Sequence, residues 1–130
     1  LLEEMRALDA ELAAGGEELL GIRIGLGEGV AALGEASAWL LENHDNTNDV
    51  LAGATPYLRM FGVVLGGYLL AKGAVAAHEL AKANGDNGWH AAKVTTARFY
   101  AEQILPTAWG LLPAVSRGAD DLFAVEPSLL

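Results

Sequence analysis

Gly53-Ala54-Thr55-Pro56-Tyr57-Leu58-Arg59-Met60-Phe61-Gly62-Val63-Val64-Leu65-Gly66-Gly67-Tyr68-Leu69-Leu70 is the stretch that decides the fold. Thr55 is an N-cap candidate, and Pro56 fits the first helical position, where the N–H it lacks has no partner to lose. Tyr57, Phe61, Val64 and Tyr68 then follow at steps of four, three and four, the period of an α-helix. The spacing predicts a long central helix over residues 56–83, closed by the turn-forming run Ala83-Asn84-Gly85-Asp86-Asn87-Gly88.

The same period extends in both directions. Upstream, Met5, Leu8, Leu12, Leu19, Ile22, Leu26, Val30 and Leu33 recur at threes and fours, apart from an interval of seven across Gly15-Gly16. Two adjacent glycines cost a helix about 2 kcal/mol relative to alanines, yet the phase is preserved across them. The expectation is one long first helix over 2–43, the alternative being a break at Gly15-Gly16 that creates a fourth helix. A polar turn, Asn43 to Asp49, follows. It mimics a calcium loop at Asp45, Thr47 and Asp49, but Val50 stands where the loop needs glycine and Pro56 where it needs glutamate. Downstream, Ala97, Tyr100, Ile104, Ala108, Leu111 and Val115 give a third helix over 87–117, with a kink expected near Pro106 or Pro113. In the tail, 118–130, Leu122-Phe123 is expected to fold back as an apolar clasp. No segment shows strand alternation. The reading is all-α: an antiparallel up-and-down helical bundle forming a single domain over 1–130.

Composition narrows the function classes. A chain of 130 residues can bury a core without a metal or disulfide. It is 52% hydrophobic and 19% charged, which leaves apolar surface over for a partner. Cysteine is absent, excluding thiol catalysis and zinc–thiolate sites. Net charge is −9 over residues 1–49, +3 over 50–118 and −3 beyond, with no dense basic stripe, so nucleic acid is not an expected partner. The first residues form neither an initiator methionine nor a basic leader, so a fragment of a longer protein is expected. The most apolar window, Met60 to Ala77, contains Lys72 and follows Arg59; a buried bundle helix, not a transmembrane segment, is the reading.

The 16 glycines need a reason, because each one inside a helix costs about 1 kcal/mol of propensity. Gly21, Gly25 and Gly29 form one stripe and Gly62, Gly66 and Gly73 another, both read as strips of close helix packing. Gly25-Leu26-Gly27-Glu28-Gly29-Val30 is no dinucleotide loop: the third glycine is missing and the flanks are helical. His44, His78 and His90 make no metal-binding spacing, and no serine sits in a nucleophile elbow. Catalytic, cofactor-binding and metal residues are therefore nominated at no position. Arg59, beside Tyr57 and Phe61, and Arg98, beside Phe99 and Tyr100, are candidate interdomain contacts in otherwise apolar helices.

Two segments carry a resemblance: Ala52-Gly53-Ala54-Thr55-Pro56-Tyr57-Leu58-Arg59-Met60-Phe61-Gly62, and Lys93-Val94-Thr95-Thr96-Ala97-Arg98-Phe99-Tyr100 running on to Ile104-Leu105-Pro106. With Ala38-Trp39-Leu40-Leu41 upstream, residues 30–123 resemble the C-terminal helical domain of larger acyl-CoA dehydrogenases, nearest to the 3-methylmercaptopropionyl-CoA dehydrogenase type. The resemblance implies a cytoplasmic, homo-oligomeric flavoprotein parent. In it a catalytic Glu removes the α-proton of an acyl-CoA, FAD accepts hydride from Cβ, and electron transfer flavoprotein reoxidises the flavin. It places FAD and the catalytic base in a preceding core, so this chain would be an accessory domain packing on that core or on sister subunits. A free-standing helical interaction module and a peripheral membrane domain are the alternatives.

Overall fold

A computed structural model describes residues 1–129. Helix α1 spans Leu2–Ala14, α2 Glu17–Glu42, α3 Thr47–Asn84 and α4 Trp89–Phe99. A π-helical turn, Tyr100–Ile104, leads into the short helices α5 (Pro106–Gly110), α6 (Leu112–Ser116) and α7 (Asp120–Phe123) and a 3₁₀ turn at Pro127–Leu129. Consecutive long helices pack side by side through short connections, giving the up-and-down bundle. No strand occurs among the described residues.

The first helix is not continuous over 2–43. Gly16, at φ 62° and ψ −144°, turns the chain back so that α1 lies against α2. That backbone region is essentially reserved for glycine. Asp9 on α1 accepts two hydrogen bonds from Arg23 on α2, Nε at 2.7 Å and Nη2 at 2.9 Å, which clips the hairpin from outside. The bonds hold the Asp9 carboxyl below its ordinary range. Met5, Leu8 and Leu12 are buried beside Leu19, Ile22 and Leu26. A seven-residue interval satisfies a hairpin sharing one core as well as it satisfies a straight helix, so phase could not distinguish them.

The central helix starts earlier than Thr55-Pro56. It begins at Thr47, capped by Asn46, whose side chain accepts from the Asp49 N–H at a long 3.4 Å. Pro56 lies inside it, unable to donate to the Ala52 carbonyl. Gly53 leaves room on the inner face, where the Val115 carbonyl oxygen would lie 2.7 Å from a Cβ. Asp49 has a second use that explains the polar turn: its Oδ1 accepts the Ala119 N–H at 2.7 Å and fastens the C-terminal segment to the start of α3. That fastening ends at the buried Ala119. Leu122 and Phe123 are 69% and 71% exposed, so they form no clasp.

The third helix, expected over 87–117, is α4, a π turn and two short helices. Pro106 cannot donate to the carbonyl of Glu102, and the chain closes instead through Leu105 N–H to the Tyr100 carbonyl, 2.9 Å, an i→i−5 bond. The wider turn inserts one residue and shifts the core phase. Ala101 and Leu105 are buried where Tyr100 and Ile104 were expected, and the latter two are half-buried.

Candidate functional site

Glycine placement divides the chain into an inner and an outer surface. On α2, a Cβ at Gly25 would lie 2.5 Å from the Ala101 carbonyl oxygen, and one at Gly29 would lie 3.1 Å from Leu105 Cδ2. Gly21 stands against the Glu102 carboxylate and the Arg98 stem. On α3, Gly66 faces the Tyr100 hydroxyl, and a Cβ at Gly67 would lie 2.8 Å from Leu105 Cδ1. The small residues of α2 and α3 therefore receive the π turn, with Leu105 as the knob. Gly53 and Gly67 belong to this inner set although the spacing singled out neither.

Gly62 and Gly73 do not. A Cβ at either would meet nothing within 4 Å, so the second stripe splits between two faces. At about 100° per residue, Leu58, Gly62, Leu65, Leu69, Gly73, Ala76 and Leu80 all fall within about 40° of Leu69. No polar residue interrupts them. Leu58 is 72% exposed, Leu69 59% and Leu80 47%. The strip runs about 33 Å along α3 at 1.5 Å per residue. Exposed contiguous apolar surface of this length on a helix marks an interaction site. Its signal was in the sequence, as steps of four, three, four, four, three and four, but it lay under the stronger inward pattern.

The five candidate contact residues separate accordingly. Tyr100 donates to the Val63 carbonyl at 3.0 Å, and burial raises its phenol above the ordinary value. Arg98 donates to the Glu18 carbonyl at 3.0 Å. Tyr57 shares a 2.9 Å hydrogen bond with Ser37, its ring 6.3 Å from that of Phe61. Tyr57 and Tyr100 brace the bundle from partly buried positions, and Arg98 ties α4 to α2 at the surface. Arg59 is exposed and Phe61 half-buried, and they flank the outward strip at about +80° and −80°. By length and composition alone α3 could cross a membrane, but 44% of its most apolar window is buried in the bundle.

Among the described residues no three His, Asp or Glu side chains converge to hold a metal. His78 Nδ1 lies 3.0 Å from Glu18 Oε2 as a tie between α3 and α2. One cavity of about 370 Å³ opens between α1 and α2, its wall made by Met5, Leu12, Leu26 and Val30. Its two guanidinium groups, Arg6 and Arg23, are already engaged by Glu3 and Asp9. Its volume is at the low end for a drug-sized molecule and small for a flavin dinucleotide.

Residues 1–126 match the family model described as acetyl-CoA dehydrogenase C-terminal like. The chain belongs to that family, a domain of acyl-CoA dehydrogenases. Comparison with curated proteins and with solved structures gives no match. The family match begins at residue 1, so the α1–α2 hairpin and its glycines lie within the family's domain, beyond the 30–123 that the resemblance covered.

Proposed function

We propose that this chain is the accessory domain of an FAD-dependent, cytoplasmic acyl-CoA dehydrogenase, with a structural and oligomer-supporting role and no catalysis of its own. The family match over residues 1–126 carries this reading. Two physical features support it: Tyr57 and Tyr100 act as internal braces and Arg98 as a surface tie between helices, while apolar surface is kept on the outside of α3. In the parent, hydride transfer to FAD and proton removal by a catalytic Glu belong to a separate core. Electron transfer flavoprotein is its electron acceptor and acyl-CoA its substrate. The present helices dock on that core or on a sister subunit.

The test is the intact mass, visible absorbance and acyl-CoA-dependent dye reduction of the natural full-length product. A larger yellow protein that reduces an electron acceptor with a short-chain acyl-CoA is expected. A colourless protein of about this size would replace the reading with a free-standing interaction module.

A further inference from the structure

We propose that α1 is an exchangeable arm: two copies of this chain dimerise by opening at Gly15-Gly16, each seating its α1 on the α2 of the other. The inference rests on the oligomer-supporting role above and names the segment that performs it.

Met5, Leu8, Leu12, Leu19, Ile22 and Leu26 keep helical phase across the glycine pair. At about 100° per residue, a straight helix carries all six within about 60° of Leu19. In the closed chain the same six side chains are buried along the α1–α2 hairpin. One pattern therefore serves two arrangements: a hairpin within one chain, and a continuous helix laid antiparallel on a second copy. A hairpin alone does not require it, since each helix needs only its own stripe and the turn sets how the two stripes meet.

The hinge is where the two forms differ. Closed, Gly16 holds φ 62° and ψ −144°, a region costly for any other residue. Gly15 is already close to helical, at φ −77° and ψ −4°. Opening therefore turns chiefly on one residue. In the straight helix Gly15 and Gly16 fall about 40° and 60° to either side of Leu19, on the inward face, while Glu17 and Glu18 fall about 100° or more away. Asp9 meets Arg23 in the closed form, and the midpoint of positions 9 and 23 is 16. The same register between two copies puts the twofold axis at the glycines. Bare backbone then meets bare backbone, and the hinge acids point outward. Each α1 seat, with its Asp9–Arg23 pair, is rebuilt between chains, so exchange trades contacts like for like. Because α1 rests mainly on α2, with α3 as its second neighbour, the arm leaves without unpacking the later helices.

Gly16→Ala strains the closed turn and favours the straight helix. Across a sedimentation concentration series it should tighten dimerisation about a hundredfold, about tenfold for each of the two hinges. Asp9→Arg and Arg23→Asp then show whether the arms cross. Both positions lie at the surface, so neither substitution disturbs the core. Each variant alone sets like charges at its own seat, whether closed or exchanged with itself. Mixed, the two restore opposite charges at both seats only by crossing. Refolded together from urea in the Gly16→Ala background, they should give a one-to-one heterodimer in excess of either homodimer by native mass spectrometry. Gly16→Ala that stays monomeric at every concentration overturns the proposal. So does a dimer in which the charge variants pair no better with each other than with themselves. If Gly16→Ala does not fold, the same mixture on the wild-type hinge decides: an excess of heterodimer upholds the exchange, and monomers alone or a statistical mixture overturns it. The readouts are masses of this chain, so they can fail while the full-length product proves a yellow dehydrogenase, and hold while it does not.

Discussion

Two glycines only one helical step from being neighbours, Gly25 and Gly27, should respond oppositely to the same substitution. Gly25→Ala drives a methyl against the Ala101 carbonyl oxygen, 2.5 Å away and held in the backbone of the π turn. A loss of about 1–3 kcal/mol is expected, typical of overpacking. Gly27→Ala meets nothing within 4 Å and should gain about 0.5–1 kcal/mol from helix propensity alone. Urea titration of both variants checks the pair, and equal signs would refute the close approach of α2 to the π turn. Tyr100 makes a second test. Burial raises its folded-state phenol above the ordinary 10.0, so the stability it contributes is complete below that pH. Above it the unfolded chain ionises first, and stability falls as pH rises toward the folded value. Tyr100→Phe should lose about 0.5–1.5 kcal/mol at neutral pH with its bond to Val63, and should flatten the decline above pH 10 in alkaline melts.

Elements are decided here by backbone exceptions. Gly16→Ala places a side chain where φ is 62° and ψ −144°, a conformation costing an L-residue about 1–3 kcal/mol. The expected result is a lower denaturant midpoint with helix content retained, since α1 must leave α2 or strain its turn. Asp49→Ala removes the acceptor for Ala119 N–H. Amide exchange at Ala119 should accelerate, and trypsin should cut after Arg117 sooner, while α3 keeps its protection. The periodicity of Met5 to Leu33, of Tyr57 to Tyr68 and of Ala97 to Val115 was enough to find the all-α bundle. It could not show the hairpin, because an interval of seven between Leu12 and Leu19 suits both topologies. Nor could it place Pro56 inside a helix, since proline at a first turn and proline over a small residue such as Gly53 look alike in sequence. The π turn was marked only by Pro106, which announces a disruption without saying that one residue is inserted.

At the scale of the molecule, the inner faces are filled largely by leucine, alanine and glycine, and among the described residues no charged side chain is buried to specify the packing. Specificity rests on shape. Leu105 is fully buried and touches both α2 at Gly29 and α3 at Gly67. Leu105→Ala should therefore cost about 2–5 kcal/mol, and calorimetry should show one cooperative transition at a lower temperature, not loss of a local subdomain. The outward strip was the least legible feature. Its leucines and glycines recur at the same helical spacing as the inner ones, and only the fold shows that they face outward.

The seat of Leu105 carries a consequence for descent. Alanine at Gly67, its Cβ 2.8 Å from Leu105 Cδ1, needs the side chain at 105 to move or shrink first, whereas alanine at Gly29 asks Leu105 to give only a few tenths of an ångström; shrinking Leu105 first empties a seat that two helices share. Neither order is free of a damaged intermediate. Positions 67 and 105 thus behave as one inherited unit, and lineages of this domain are expected to change them together or leave both alone.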